Sequence, residues 1–217
     1  PRDWSSDVCS SDLSERVADL PIALLIWARR GLGRAERLVR AGGWTDNALG
    51  DLFGLDVHGS TLGIVGYGSI GRAVAARARG FGMRVIATGR PDRQQEGIAF
   101  MPLDDVLQGA DIVSLHVPLT PTTRHLIGDR ELRLMRPSAT LVNTSRGGVV
   151  DQVALIRALR EGWIHSAGLD VQEHEPNPDP NDPLLDLPNV VVLPHVGSAT
   201  LAARASIDRK STRLNSS

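Results

Sequence analysis

The chain has 217 residues, of which 41% are hydrophobic and 23% are charged, and its formal net charge is -1. This length is enough for one well-buried domain or somewhat more, and the near-neutral charge gives no reason to expect nucleic acid or an acidic membrane as a partner. The longest apolar stretch, Pro21 to Ala28, is far shorter than the roughly 20 residues that a membrane-spanning helix needs. No signal-peptide pattern opens the chain and Cys9 is its only cysteine. We therefore expect a cytoplasmic protein without disulfides or thiolate metal sites.

Both ends lack the apolar periodicity of a folded protein. The stretch from Asp3 to Asp12 can be encoded by one strand of a short DNA, and the stretch from Asp208 to Ser217 by the complementary strand, shifted by one base. That DNA resembles a common sequencing-library adapter. We therefore expect residues 1–13 and 208–217 to be translated adapter, which leaves a natural segment from Ser14 to Ile207.

Between these ends, helices come first and then strands and helices alternate. Ser14 is predicted to cap a helix that Gly31 and Gly33 interrupt, and residues 14–58 connect to a nucleotide-binding domain at 59–200. The predicted strands are 61–65, 83–88, 111–116, 139–143, 165–170 and 189–193; the predicted helices are 34–40, 69–80, 103–108, 129–135, 151–161, one beginning near Ser198, and the start of a truncated C-terminal helix at 201–207. This alternation predicts an α/β fold with a Rossmann-type, doubly wound parallel sheet.

A glycine-rich turn joins the first predicted strand to the next helix. Its sequence, Gly66-Tyr67-Gly68-Ser69-Ile70-Gly71, is a GxGxxG pattern. Gly66 permits the tight turn, Gly68 lets the backbone approach a pyrophosphate, and Gly71 lets helix and strand pack closely. The amides of the helix start would face the phosphates. A purely structural glycine turn is the alternative to a dinucleotide site.

The end of the second predicted strand bears on which dinucleotide binds. NAD sites place an acid there, but this strand ends in Thr88-Gly89-Arg90, and Asp92 lies past a proline. Arg90 and Arg93 are placed to pair with a 2′-phosphate. NADP is therefore predicted over NAD, with two surface arginines as the alternative.

Three polar residues follow three further predicted strands. Arg146 follows the strand that ends near Asn143, Glu175 follows the strand that ends near Asp170, and His195 follows the last strand. Ligands of open α/β sheets bind outside the carboxyl ends of the strands. A guanidinium can clamp a carboxylate, and a histidine beside a carboxylate can donate a proton near neutral pH. The three residues together predict a site that reduces a 2-keto acid.

Simpler explanations exist for each of these residues. His195 could be a structural hydrogen-bonding residue, and Arg146 could cap a helix or pair with Asp151. Glu173 and His174 are so close to Glu175 that the carboxylate beside His195 could be another one. No metal-ligand spacing links the remaining histidines, which are interpreted as strand-end or surface residues, and no metal is expected.

Five motifs in order resemble the D-isomer-specific 2-hydroxyacid dehydrogenase family. They are GYGSIG, HVPLTP from His116, NTSRGG from Asn143, GLDVQEHEP from Gly168 and PHVGSAT from Pro194. Within the family, the TGRPDR segment is most similar to the glyoxylate/hydroxypyruvate reductase branch, which favours NADPH. The resemblance implies that Arg146, Glu175 and His195 are catalytic.

The resemblance also implies a set of cofactor contacts. Those at the phosphates and adenosine are Ser69, Ile70, Thr88, Val117 and Pro118; those near the nicotinamide are Thr144, Asp170, His195 and Gly197. It further implies a second, flavodoxin-like substrate domain that is largely missing, so that this chain binds cofactor without turnover, and a homodimer formed through the present domain. The absence of a tryptophan near Asn47 leaves the choice of 2-keto acid open. A corepressor-type protein that senses NAD(H), or an NAD-linked D-2-hydroxyacid dehydrogenase, is the alternative function.

Overall fold

The computed structural model of the protein describes residues 11–45, 50–89, 97–177, 179–201 and 203. Seven α-helices lie in this part of the chain: α1 Ser11–Val17, α2 Asp19–Arg30, α3 Leu32–Arg40, α4 Ser69–Gly80, α5 Leu103–Gly109, α6 Asp129–Leu134 and α7 Gln152–Arg160. Seven strands alternate with them: β1 Thr61–Val65, β2 Arg84–Thr88, β3 Ala99–Phe100, β4 Ile112–Leu115, β5 Thr140–Asn143, β6 Ser166–Leu169 and β7 Val190–Val192. None of the helices described is long and apolar enough to cross a membrane.

The strands form one sheet in which all neighbours are parallel, in the order β3-β2-β1-β4-β5-β6-β7. This confirms the predicted doubly wound fold. The order reverses between β1 and β4, so a crevice opens beyond the carboxyl ends of these two strands. The two-residue strand β3 was not predicted, because two residues carry no periodic pattern.

Helices cover both faces of the sheet, as the apolar strands require. Alternate residues of a strand point to opposite faces. In β4, Val113 and Leu115 join the hydrophobic cluster beneath α5, α6 and α7, whereas Ile112 joins the cluster beneath α2 and α4. All three are fully buried. Packing is tight on the face covered by α5, where a Cβ added to Gly63 would lie 2.7 Å from a methyl of Val106.

The first helix starts earlier than predicted, whereas the helix α2 ends at the glycine that the sequence predicts. The first helix begins at Ser11 and not at Ser14, which lies buried inside it. The second ends at Gly31, whose φ of 63° is the left-handed conformation that favours glycine at a helix end. At the other end of the chain Ser198 lies in a turn, and helical residues are described only at Leu201 and Ala203.

A buried arginine fixes α2 to the sheet domain. Arg29 is 6% exposed, and its guanidinium donates to the backbone oxygens of Asp56, Asp111 and Ser138 at 2.7, 3.0 and 3.1 Å. Burial lowers the pKa of Arg29, and the nearby carboxylates of Asp111 and Asp56 oppose this effect. The helix is therefore an integral part of the domain.

Candidate active site

The glycine turn after β1 has the geometry that a dinucleotide requires. Gly66 has a φ of 98°, and a Cβ on it would lie 2.9 Å from the backbone carbonyl of His116. A Cβ on Gly71 would lie 2.5 Å from the carbonyl oxygen of Gly66. These two glycines are therefore required for the fold itself.

Gly68 differs from the other two glycines of the turn because an added Cβ would meet no atom of the described residues within 4 Å. It is the N-cap residue of α4 and has no side chain with which to cap the first amide groups of the helix. A pyrophosphate there would receive hydrogen bonds from those amides, and a side chain at Gly68 would occupy the same space. Ser69 and Ile70 are the first two residues of this helix and are half-buried.

The residues beside the turn have mixed roles. The backbone N–H of Gly66 donates to the Thr88 hydroxyl at 3.2 Å, so Thr88 also holds the turn in place. Val117 lies next to Gly66, since a Cβ there would be 2.8 Å from its methyl group, and Pro118 is exposed. Arg90 and Arg93, on which the prediction of NADP depends, lie outside the described residues.

A buried hydroxyl group at the end of β5 supports the presence of a ligand. The Thr144 Oγ1 is buried and, within the described part of the chain, has no hydrogen-bond partner. A buried polar atom without a partner is uncommon because it loses the hydrogen bonds that water would supply. The open space at Gly68 and the unpaired Thr144 hydroxyl both fit a bound dinucleotide.

His195 and Glu175 form the pair that the sequence predicts. The His195 Nδ1 lies 2.8 Å from Oε2 of Glu175, and the two side chains are 44% and 31% exposed. The other oxygen of Glu175, Oε1, accepts the backbone N–H of Gln172 at 2.6 Å. Because a carboxylate can only accept, the neutral imidazole carries its proton on Nδ1. Among the described residues, none is hydrogen-bonded to Nε2 of His195.

Asp170 holds the backbone that carries His195. It is 1% exposed, and its two carboxylate oxygens accept the N–H groups of Val196 at 2.8 Å and Gly197 at 2.7 Å. Its backbone carbonyl accepts the N–H of His195 at 2.8 Å. These bonds support a φ of 55° at His195, a left-handed conformation that is uncommon for a residue with a side chain. Burial raises the pKa of Asp170, and the two backbone amides partly oppose the rise.

Arg146 lies on a loop that the side chain of Asn143 organises. The Asn143 Oδ1 accepts the N–H and hydroxyl groups of Ser145 at 3.0 and 2.8 Å, and its Nδ2 donates to the Arg146 carbonyl at 3.0 Å. The side chain of the half-buried Arg146 makes one hydrogen bond within the described residues, to the Ser145 carbonyl at 2.6 Å. Asp151 instead caps α7 by accepting the N–H of Ala154 at 3.0 Å. Within the described residues no ion pair involves Arg146, so its charge is available to an anionic ligand.

The other histidines are distinct from this pair. The His116 Nε2 lies 2.9 Å from the Ser114 hydroxyl, and burial lowers the pKa of His116 to about 4. Burial also lowers the pKa of His165, with a smaller contribution from the nearby arginines. His125 is exposed, as interpreted from the sequence, and its Nε2 lies 2.6 Å from Oε1 of Glu173, a pairing that was not predicted. That pair spans 48 residues of sequence, and no local pattern indicates it.

Comparisons with known proteins agree with this arrangement. A profile of the family described as D-isomer specific 2-hydroxyacid dehydrogenase, NAD binding domain, matches residues 22–197. A glyoxylate reductase from Korarchaeum cryptofilum is 52% identical over 198 residues, which cover 89% of this chain and 59% of that protein.

Two solved structures of similar proteins contain different cofactors. An NADPH-dependent glyoxylate/hydroxypyruvate reductase from Sinorhizobium meliloti, in complex with NADP and malonate, is 37% identical with a TM-score of 0.83, and the match covers 91% of this chain and 61% of that one. A D-isomer specific 2-hydroxyacid dehydrogenase from Lactobacillus delbrueckii ssp. bulgaricus, in its NAD-complexed form, is 33% identical with a TM-score of 0.76. The match covers 90% of this chain and 62% of that one.

The chain therefore spans about 60% of the length of these relatives. The described residues contain one sheet, and that sheet has the strand order of a dinucleotide-binding domain. The family profile covers most of this part of the chain, including the glycine turn and residues 146, 175 and 195. The chain belongs to the D-isomer specific 2-hydroxyacid dehydrogenase family, in which it corresponds to the NAD-binding domain.

Proposed function

We propose that the protein transfers a hydride between NADP(H) and a small 2-keto or 2-hydroxy acid, and that it favours the reduction of glyoxylate or hydroxypyruvate. The observation that carries this proposal is the 2.8 Å contact between His195 Nδ1 and Glu175 Oε2. This pair lies at the carboxyl edge of a sheet whose glycine turn leaves open space at Gly68. The names of the related glyoxylate reductases point to the same substrate class.

His195 is the proton donor in this proposal. Reduction of a ketone places negative charge on its oxygen, which needs a proton at that moment. Glu175 holds Nδ1–H of the ring, so Nε2 is the nitrogen that faces the substrate and delivers the proton.

Arg146 is the group that binds the substrate carboxylate. Its planar guanidinium matches a carboxylate with two parallel hydrogen bonds, which fixes the orientation of the keto group. The nicotinamide, when bound, supplies the hydride. Thr144 and Asp170 are the residues that would hold the carboxamide end of the nicotinamide, and Gly197 closes the same side of the site.

The preference for NADP is part of the proposal and depends on Arg90 and Arg93. Two arginines after β2, with no acid at the strand tip, suit a 2′-phosphate better than a free 2′-hydroxyl. The solved relatives include one complex with NADP and one with NAD, so they support a dinucleotide of either kind.

The assembly and location proposed for the protein follow from its surface and its family. Trp27, Val39, Trp44 and Phe53 are 43%, 54%, 72% and 80% exposed, and all lie on or after α2 and α3. Apolar surface of this extent favours a homodimer formed through this region. Sedimentation equilibrium should give twice the chain mass, and Val39→Glu should give the monomer.

A cytoplasmic location is proposed because the single cysteine permits no intrachain disulfide.

We test the activity in a reductase chimera, in which the part of this chain that aligns with the K. cryptofilum enzyme replaces the 198 aligned residues of that enzyme. The chimera should oxidise NADPH with glyoxylate and hydroxypyruvate, whereas the 217-residue chain alone should bind NADPH without turnover. His195→Asn should lower kcat by about 10²- to 10⁴-fold, whereas the chimera should still bind NADPH. Arg146→Gln should raise the KM for glyoxylate because it removes the charge proposed to bind the substrate carboxylate, and Arg160→Gln, a change of an exposed arginine on α7, is its matched control. A chimera that is folded, binds NADPH and keeps full turnover after His195→Asn contradicts the proposal.

A further inference from the structure

The loop after β6 carries two histidine–glutamate pairs. Glu175 pairs with His195, as described above, and Glu173 pairs with His125 at 2.6 Å. The Glu173 side chain is 16% exposed and the His125 side chain 41%. Between the two glutamates, His174 is exposed, and within the described residues its side chain makes no hydrogen bond or ion pair. The two pairs therefore have separate surroundings although they share a loop.

Glu173 also joins this loop to the start of α7. Its Oε2 accepts the backbone N–H of Gln152 at 3.4 Å, and its own N–H donates to the Gln152 side-chain oxygen at 3.1 Å. Gln152 is the first residue of α7, next to the residue that caps the helix. A mostly buried carboxylate with partners on two other segments restricts the loop far more than an exposed one would.

The same loop packs directly on the loop that carries Arg146. A Cβ added to Gly147 would lie 1.7 Å from the carbonyl oxygen of Gln172, so the two backbones are in contact and leave no room for a side chain. His125 bonds to both loops, because its backbone N–H donates to the Gly148 carbonyl at 2.8 Å while its ring binds Glu173. The φ of His125 is 51°, so its backbone has the left-handed conformation at the contact between the two loops.

The contact between Gln172 and Glu175 connects this anchor to the proposed chemistry. The N–H of Gln172 donates to Glu175 Oε1 at 2.6 Å, and Gln172 is adjacent to Glu173. A displacement of Gln172 together with Glu173 would therefore move the carboxylate that holds Nδ1–H of His195. It would also remove the surface against which Gly147, and with it Arg146, is packed.

We propose that Glu173, with His125 as its partner, is a positioning residue that holds the Glu175 carboxylate on Nδ1 of His195. Glu173 does not touch the reacting atoms. It sets which ring nitrogen of His195 carries the proton in the neutral state, and so which one faces the substrate. The catalytic consequence rests on the proposed function, whereas the geometry of the pair can be measured without turnover.

The test is nitrogen NMR of the histidine rings in the 217-residue chain at high pH, where histidine side chains are neutral. The His195 signals are assigned by their loss in His195→Asn. The unaltered chain should show Nδ1–H as the main tautomer of His195, and Glu175→Ala should abolish this preference. Glu173→Ala should cause the same loss, and Glu173→Gln should restore part of the preference because its amide oxygen still accepts from His125. His174→Ala is the matched control in the same loop and should leave the tautomer unchanged.

A second variant keeps the test decisive if Glu173→Ala does not fold, as judged from its backbone amide spectrum. His125→Asn retains a residue type that tolerates positive φ and removes the partner of Glu173. It should also shift His195 away from Nδ1–H. Folded Glu173→Ala or His125→Asn samples that keep the original tautomer overturn the proposal, as does an equal shift in His174→Ala. Since the readout is a tautomer, a failure of glyoxylate reduction leaves the result intact.

Discussion

Replacing Gly68 by alanine should separate the folding role of the glycine turn from its ligand role. The backbone angles of Gly68, φ -87° and ψ -159°, are ones that alanine adopts, and an added Cβ meets no atom within 4 Å. The substitution restricts the unfolded chain, which stabilises by about 0.4–1 kcal/mol. It also weakens the start of α4, because alanine is a poorer cap than glycine by a similar amount. The two effects oppose each other, so the net change in the free energy of unfolding should stay within about 1 kcal/mol.

Cofactor binding should respond quite differently to Gly68→Ala. The new methyl group would occupy the space into which a pyrophosphate must fit, next to the amides of α4. We expect the affinity for NADPH to fall by about 10- to 100-fold, which corresponds to roughly 1.4–2.7 kcal/mol of binding free energy. NADPH affinity is measured by nicotinamide fluorescence, and stability by thermal unfolding of the same samples, for which 1 kcal/mol is about 2–4 °C in a domain of this size.

Gly71→Ala is the matched control for this experiment. Its Cβ would lie 2.5 Å from the backbone oxygen of Gly66, so it should lose about 1–3 kcal/mol of stability by overpacking. A Gly68→Ala chain that binds NADPH as tightly as the unaltered chain would show that no pyrophosphate lies against Gly68. A Gly68→Ala chain that is destabilised as much as Gly71→Ala would show that the turn is structural at all three glycines.

Three further predictions concern acid sensitivity, the buried arginine and the chain ends. The pKa of His116 is lowered to about 4, so the folded state resists protonation of this ring more than the unfolded chain does. The free energy of unfolding, measured in urea, should therefore fall by up to about 3 kcal/mol as the pH drops from 6.5 to 4. His116→Gln should lose less stability over the same pH range, and an equal loss of stability would contradict this prediction. Arg29→Met should lower the free energy of unfolding by about 2–4 kcal/mol because three backbone oxygens lose their donor, whereas the exposed Arg30→Met should change it by less than about 0.5; equal effects would refute the anchoring role. A chain trimmed to Ser14–Ile207 should bind NADPH like the full one, and weaker binding would show that the removed ends contribute.

The strands and the proposed catalytic pair could be predicted because their signals are local. The bounds of β1 and α4 agree with the prediction, since an apolar run, a glycine turn and an amphipathic helix follow one another without interruption. Glu175 and His195 meet because parallel strands bring their carboxyl ends to one edge, a rule that needs no side-chain detail.

What the sequence could not indicate depends on contacts between distant segments. Arg29 is a charged residue in an apolar helix, and only the folded structure shows the three carbonyl oxygens that surround it. The pairing of Glu173 with His125 was missed for the same reason. Its two members lie on distant segments, and Glu173 is mostly buried only once α7 and the Arg146 loop are in place.

Titrating the chain with NADPH and with NADH, while following nicotinamide fluorescence, tests whether it is the NADP(H)-binding domain of a keto-acid reductase. NADPH should bind more tightly than NADH, with the preference lost in Arg90→Ala and kept in Arg160→Ala. Tighter binding of NADH would contradict the proposed cofactor and favour an NAD-linked dehydrogenase or an NAD(H)-sensing protein. A folded chain that binds neither nucleotide would contradict the claim that this domain holds a formed cofactor site.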